Sequence, residues 1–228
     1  MEKLGILVLG QTPRPDIKAL FAAYLPGTEL IVQGALDGLA TEAIDDLARR
    51  KGDYPLLVIL NDGTTREISM SLLVPRLSAV ARDLQASGVS VGILFCAGDF
   101  PDLDCRIPLI YPGRIVSAVV GAISRTRRVG IITPNPGQME PARRNWEAKG
   151  FTVTVAVASP KDPGGLEAAA AQMRDPGLEL IVLDCMGFAP DAAKRLKVLT
   201  RRPILCSQSL VARAAAELIG SYPLTSAA

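Results

Sequence analysis

The chain has 228 residues, of which 49% are hydrophobic and 21% charged, a composition typical of a globular protein with a large core. Its 25 basic residues nearly balance its 23 acidic ones, so the formal charge of +2 gives no indication of nucleic-acid binding. The chain contains no histidine, which excludes histidine-based triads and removes the commonest metal ligand. Acid–base chemistry must therefore come from Cys, Asp, Glu, Lys or Tyr side chains.

Short apolar runs recur along the chain, and the segments between them carry apolar residues at helical spacing. The runs are, in order, LGILVLG, TELIVQG, PLLVILN, VSVGILFC, RVGIITP, FTVTVAV, LELIVLDC and RPILCSQ. They are nearly continuous in Val, Ile and Leu rather than alternating, which is typical of parallel strands covered by helices on both faces. The pattern predicts an α/β fold with mostly parallel sheets.

The second half of the chain restates the first: LGQTP returns as ITPNP, and ILFC returns as VLDC. This repetition predicts two similar α/β lobes, residues 1–112 and 113–208, with the seam in the stretch IPLIYPG. We expect the C-terminal helical segment, 209–228, to pack back on the first lobe. The active site is expected in the cleft where the lobes face each other.

The apolar run ILVLG near the amino terminus is too short to span a bilayer, and turn residues rather than a cleavage pattern follow it. We therefore expect a cytoplasmic protein with no membrane or nucleic-acid partner, whose four cysteines stay reduced. The cysteines lack the Cys-x-x-Cys spacing of zinc sites, and the chain lacks the glycine-rich loops that bind nucleotides. We expect no metal and no cofactor, while the apolar fraction allows a homodimer.

Two of the cysteines, Cys96 and Cys185, end apolar runs and precede a small-residue turn, Ala-Gly in one case and Met-Gly in the other. If the lobes face each other, the two thiols approach one cleft from opposite sides. That geometry would remove a proton from one face of a carbon and return a proton to the other. A free cysteine, with a pKa of about 8.5, is mostly protonated near neutrality, so N–H groups of the turns would have to stabilise a thiolate. The alternative is that both cysteines are simply small buried hydrophobes.

Other strand ends carry polar residues, and ligands of parallel sheets bind beyond the carboxyl ends of the strands. The turn at Gln11 and Thr12 is a candidate carboxylate-binding point, although Thr12 before a proline is also an ordinary helix start. Asn61 and Asp62 are candidates for binding an amine or hydroxyl, although Asn-Asp-Gly also favours any tight turn. Cys105 and Cys206 lack the matched placement and are expected to be structural.

Four segments, LGQTPRPD, LNDGT, LDCMGF and SQSLVARAAAEL, resemble the AroM family, a branch of the aspartate/glutamate/hydantoin racemase superfamily. The resemblance covers almost the whole chain. It implies a two-lobed α/β fold, no metal or pyridoxal cofactor, and a cysteine pair, matched by Cys96 and Cys185, that straddles the Cα of a small carboxylate substrate. The positions that would hold the substrate's carboxylate and amine are Gln11, Thr12, Asn61, Asp62, Gly98, Thr133 and Gly187.

The amino-acid racemases follow their cysteines with Asn-Thr and Thr-His, whereas this chain has Ala-Gly and Met-Gly. The expected function is racemisation or epimerisation next to a carboxylate, on a substrate of the amino-acid or hydantoin type. Two alternatives stay open. One is decarboxylation or isomerisation of a small dicarboxylate, and the other is a non-catalytic metabolite sensor linked to aromatic biosynthesis.

Overall fold

The computed structural model describes residues 2–50, 52, 54–162 and 164–220, and these form two compact units. The first unit runs through Cys96, resumes at Phe100–Tyr111 and includes the described chain from Ala212 onward. The second comprises Ala97–Asp99 and the described part of Pro112–Val211. Of the segment 209–228 expected to pack on the first lobe, residues 221–228 lie outside the described residues.

The first unit is built on a four-stranded parallel sheet with strand order β2-β1-β5-β6. Its elements in chain order are β1 (Lys3–Val8), α1 (Pro15–Ala22), β2 (Glu29–Gly34), α2 (Thr41–Arg49), β3 (Pro55–Ile59), β4 (Thr65–Ser69), α3 (Met70–Ala86), β5 (Val91–Leu94) and β6 (Leu109–Ile110). The central strands are buried because helices pack on the sheet. Apolar side chains from the strands, α2 and α3 form one continuous core.

The second unit repeats this plan with a four-stranded parallel sheet of order β10-β9-β7-β8. Its elements are α4 (Pro112–Ile123), β7 (Arg128–Thr133), a short 3₁₀ turn (Pro136–Gln138), α5 (Met139–Ala148), β8 (Thr152–Val157), α6 (Gly165–Gln172), β9 (Leu180–Leu183), α7 (Pro190–Thr200), β10 (Ile204–Cys206) and α8 (Ser207–Leu218). Helix α8 begins in the second unit and ends in the first. No helix in the described ranges has both the length and the apolar character needed to cross a membrane.

Strand β9 shows why its sequence is a continuous apolar run. Its alternate residues Ile181 and Leu183 pack in a core with side chains of α6 and α7. Leu180 and Val182 pack on the other face with side chains of α4 and α5. Helices therefore cover both faces of the sheet, which confirms the α/β fold predicted from the near-continuous runs.

The run PLLVILN differs from the expectation, because β3 pairs antiparallel with β4 in a separate two-stranded ribbon. Leu60 N donates to Thr64 O at 2.9 Å and Gly63 N to Leu60 O at 3.0 Å, which closes a tight hairpin. Gly63 has a φ of +82°, a conformation that favours glycine. The sequence Asn-Asp-Gly therefore makes the hairpin turn that such residues favour.

Candidate functional site

Cys96 and Cys185 occupy equivalent positions in the two units. Each lies two residues beyond the strand next to the central strand β1 or β7. In each unit the residue before the cysteine donates its N–H to that central strand. The two bonds are Phe95 N to Leu7 O, 2.8 Å, and Asp184 N to Ile132 O, 2.9 Å. The repeat seen in the sequence is therefore reproduced by the backbone hydrogen bonds that position each thiol.

The half-buried Cys96 packs against the core of the first unit, where Phe100 is also buried. A tight bend follows β5, in which Cys96 N donates to Leu94 O at 2.7 Å. The next residues, Ala97 and Gly98, belong to the second unit and lie against the start of α4. A Cβ at Gly113 would lie only 2.6 Å from the Ala97 carbonyl oxygen, so this close approach needs glycine at 113.

The half-buried Cys185 lies in a turn held by hydrogen bonds. Gly187 N donates to Cys185 Sγ at 3.3 Å, the type of contact that stabilises a thiolate. Gln208 Nε2, on the first turn of α8, donates to Met186 O at 2.8 Å. Gly187 is also packed against Pro160, because a Cβ there would lie 3.1 Å from the proline Cγ. Met186 and Gly187, the two residues that follow the thiol, are therefore both held in place.

Asp184, directly before Cys185, was not found by sequence reasoning. Trp146 Nε1 donates to its Oδ2 at 2.9 Å. Burial raises the pKa of Asp184 to about 6, while the Trp146 hydrogen bond and the positive charge of Lys149 act in the opposite direction. The sequence did carry one signal for Asp184, because an acidic residue ends this apolar strand whereas the first half has Phe95 at the equivalent position.

Gln11 follows β1 and is only 7% exposed. Its Nε2 donates to Leu36 O at 3.2 Å and to Leu39 O at 3.0 Å, while its Oε1 accepts from Asn61 N at 3.3 Å. Its backbone N–H donates to Ile59 O at 3.0 Å. The side chain therefore joins the loops that follow β1, β2 and β3, and its two amide protons are already used within the unit.

Thr12 is bound to Asp37, a second residue that sequence reasoning missed. Thr12 N donates to Asp37 Oδ1 at 2.7 Å, and Thr12 Oγ1 donates to Oδ2 at 2.9 Å. Gly34 N adds a third bond to Oδ2 at 2.7 Å. No sequence signal distinguished Asp37, because Asp-Gly is an ordinary turn pair. Gln11, Thr12 and Asp37 thus form a corner of the first unit in which the donors of Gln11 and Thr12 are already occupied.

The remaining candidates have their own local partners. The exposed Asp62 accepts from Thr64 Oγ1 at 2.7 Å and Thr64 N at 2.8 Å, and these bonds lower the pKa of Asp62. Thr133 is 1% exposed, and its Oγ1 lies 3.3 Å from Asn135 O and 3.4 Å from Ala156 O. The structure thus brings Asn61 to Gln11 and Gly187 to Cys185, while Asp62 bonds within its own turn and Thr133 bonds to its own turn and to β8.

The two other cysteines are held by backbone carbonyls. Burial raises the pKa of the Cys105 thiol, whose Sγ lies 3.6 Å from Ile107 O. Cys206 is 5% exposed, and its Sγ donates to Phe188 O at 3.3 Å. Phe188 is itself buried in the core of the second unit.

Several solved structures share this fold. A maleate isomerase from Pseudomonas putida S16 superimposes with a TM-score of 0.64 at 14% identity, covering 96% of this chain and 93% of that chain. An unliganded arylmalonate decarboxylase gives 0.64 at 16% identity, with 98% and 94% covered. A glutamate racemase isoform from Bacillus anthracis gives 0.61 at 12% identity, with 96% and 82% covered. The chain has the two-lobed fold of racemases and isomerases.

The family is shown by the sequence itself. The AroM protein family matches residues 4–219, and the chain belongs to this family. No curated protein matches the chain.

Proposed function

We propose that this protein is a cofactor-independent racemase or epimerase, acting at the carbon next to a carboxylate of a small acid, with Cys96 and Cys185 as its two proton-transfer groups. The observation that carries the proposal is the equivalence of the two thiols within the repeated units, each held two residues beyond the equivalent strand, β5 or β9. A pair of equivalent acid–base groups suits a reaction in which either face of one carbon can lose or gain a proton. Both thiols must stay reduced, which fits the cytoplasm.

The proposed reaction has two proton-transfer steps. One cysteine, as a thiolate, accepts the proton on the substrate carbon, so a C–H bond breaks, an S–H bond forms and the electron pair moves into the carboxylate. The other cysteine, as a thiol, then delivers its proton to the opposite face, and its S–H bond breaks as the new C–H bond forms. The N–H of Gly187 supports the thiolate form of Cys185 during this exchange.

The class of substrate follows from the acceptor corner formed by Gln11, Thr12 and Asp37. Because the donors of Gln11 and Thr12 are occupied, the corner suits a substrate group that itself donates, such as an ammonium or an amide N–H. The similar structures carry names that refer to maleate, arylmalonate and glutamate, all small carboxylates. We therefore propose an acid with an N–H group on the reacting carbon, of the amino-acid or hydantoin type.

The test measures by NMR the exchange of the substrate's Cα proton in deuterated water, for each of a panel of small chiral acids. Cys96→Ser and Cys185→Ser should each slow exchange by about 100-fold or more, because general acid–base groups contribute on that order. Cys105→Ser is the matched control and should exchange at the wild-type rate. Full activity in either the Cys96 or the Cys185 variant would overturn the two-thiol mechanism.

A second candidate reaction is decarboxylation or isomerisation of a small dicarboxylate with one dominant thiol. The observation that favours it is the unequal surroundings of the two cysteines, since Asp184 precedes Cys185 where Phe95 precedes Cys96. In that case one serine variant should be far more damaging than the other. Binding without exchange or turnover in the wild-type protein would instead favour a metabolite sensor.

A further inference from the structure

The two units differ at the residue that precedes each candidate cysteine. In the first unit Phe95 packs edge-on against Phe21, with ring centroids 6.0 Å apart. The equivalent position in the second unit holds Asp184, whose carboxyl group meets the indole of Trp146 rather than an apolar partner. Asp184 is half-buried, and a carboxyl group removed from water destabilises a fold more than an aromatic ring does, unless other interactions offset it. Its presence at this position therefore calls for a function.

The surroundings of Asp184 contain a second buried charge. Lys149 follows the end of α5, and its Nζ is enclosed and makes no hydrogen bond to any described residue. Lys149 forms an ion pair with Asp99, in which Nζ lies 3.7 Å from Oδ1. Lys149 also favours the charged form of Asp184. Asp184 is therefore hydrogen-bonded to Trp146 and feels the charge of Lys149, which pairs with Asp99; we call these four residues of the second unit the Asp184 network.

The network touches the chain beside both candidate cysteines. Asp184 is the residue before Cys185, and Asp99 lies three residues after Cys96 in the sequence. Trp146 is 2% exposed, so its hydrogen bond to the half-buried Asp184 is partly shielded from water. The charged groups that act on Asp184 are thus Lys149 and, through its ion pair, Asp99.

We propose that Asp184 is a positioning residue for Cys185: the Asp184 network holds the turn that carries the thiol, and the charge of Asp184 controls how readily Cys185 becomes a thiolate. The inference rests on the proposed function only in taking Cys185 as the reactive thiol. The charges of Lys149 and Asp99 oppose each other, so the field at Cys185 changes chiefly when Asp184 gains or loses its proton. An ionised Asp184 disfavours a second negative charge on the neighbouring residue, whereas a protonated Asp184 does not.

The experiment measures the rate of alkylation of each cysteine by iodoacetamide from about pH 5 to 9 by peptide mass spectrometry, since the thiolate is the reacting form. Asp184→Asn keeps the shape of the side chain and removes its charge, so Cys185 should react up to about tenfold faster throughout the range in which the thiol titrates. Cys105 in the same sample is the internal control and should be unchanged.

Trp146→Phe provides a second variant with a different signature. It removes the hydrogen bond that favours the ionised carboxylate, so Asp184 stays protonated to higher pH. Cys185 should then react faster than in wild type near pH 6 to 7, and the two rates should converge at higher pH, where Asp184 is ionised in both proteins. If the alkylation rate of Cys185 in Trp146→Phe converges with the wild-type rate at higher pH, while the rate in Asp184→Asn does not, the effect comes from the charge of Asp184. A general loosening of the turn would not produce this difference.

Unchanged Cys185 profiles in folded Asp184→Asn or Trp146→Phe protein, with altered thermal stability alone, would overturn the inference and leave Asp184 a structural residue. Alkylation needs no substrate, so the result is separate from the proposed function. Shifted profiles in a protein that never exchanges a substrate proton would support the Asp184 network and contradict the two-thiol reaction. Exchange of a substrate proton together with unshifted alkylation profiles would support the two-thiol reaction and contradict the role of the Asp184 network.

Discussion

At the scale of single residues, Asp184 links the stability of the fold to pH. Its pKa in the folded protein is raised from 3.8 to about 6, so the folded state binds this proton more tightly than the unfolded state does. The stabilisation that the proton provides is complete below about pH 4 and is lost as the pH rises through about 6. Near neutrality the half-buried carboxylate of Asp184 is therefore destabilising relative to its protonated form.

Asp184→Asn should remove this dependence, because the amide keeps an oxygen that accepts from Trp146 and carries no titrating charge. Relative to wild type, the variant should gain stability between about pH 5 and 7, by at most roughly 3 kcal/mol. Thermal unfolding over that pH range measures the difference. Parallel melting curves for the two proteins at every pH would show that Asp184 does not titrate in this range.

At the scale of secondary-structure elements, the loop after β1 approaches the last residue of β3 too closely for a side chain at Gly10. A Cβ there would overlap the carbonyl oxygen of Ile59, which belongs to the backbone and cannot rotate away. Gln11 N donates to the same carbonyl at 3.0 Å, so the approach is fixed by a hydrogen bond. Gly10 is therefore required for the corner that contains Gln11 and Thr12.

Gly10→Ala should destabilise the protein by at least about 2 kcal/mol, because the backbone of one loop must move. Gly121→Ala is the matched control. Gly121 lies inside α4, and a Cβ there meets only Phe151 Cζ at 3.7 Å, an ordinary contact. That variant should gain about 0.5 to 1 kcal/mol from the higher helix propensity of alanine. Urea unfolding compares the two, and equal effects would contradict the assigned crowding.

The elements that the sequence predicted well are those whose own residues carry the signal. Continuous apolar runs identified strands such as β9, because both faces of a parallel strand are buried. Strand β4, with the sequence TREIS, has little apolar signal of its own. It is identified as a strand by its pairing with β3, which the sequence pattern does not show. The matched cysteines were visible as a repeat. Asp37 was not, because its role depends on N–H groups supplied by other loops.

At the scale of the whole molecule, several carboxylates stabilise the fold only while they are ionised. The pKa is lowered for Asp16, chiefly by a hydrogen bond from Arg14, and for Asp175, chiefly by the N–H of Gly177. Glu179 has the largest of these shifts, to about 2, because it accepts from the Ser124 hydroxyl and from two backbone N–H groups of the α4–β7 loop. Depressed values mean that stabilisation is present above the ordinary pKa and lost as the pH falls.

We therefore expect thermal stability to decrease on acidification below about pH 4.5, the region in which the unfolded chain takes up protons that the folded chain does not. Glu179→Gln should lower the stability near neutrality and make the acid decrease shallower, since one of the responsible groups no longer titrates. Melting temperatures of both proteins from about pH 3 to 7 measure this. An acid slope identical in the two proteins would assign the decrease to other groups.

The division of α8 has a consequence for the order in which the two units are completed during synthesis. The helix contributes Ser207–Val211 to the second unit, and the first unit includes the chain from Ala212, where Ala212 and Ala215 are fully buried. A ribosome delivers the chain from its amino terminus, so every described segment of the second unit has been made before Ala212 is added. The unit whose synthesis begins first is therefore the last to receive all of its parts, and until then it lacks the buried residues Ala212 and Ala215.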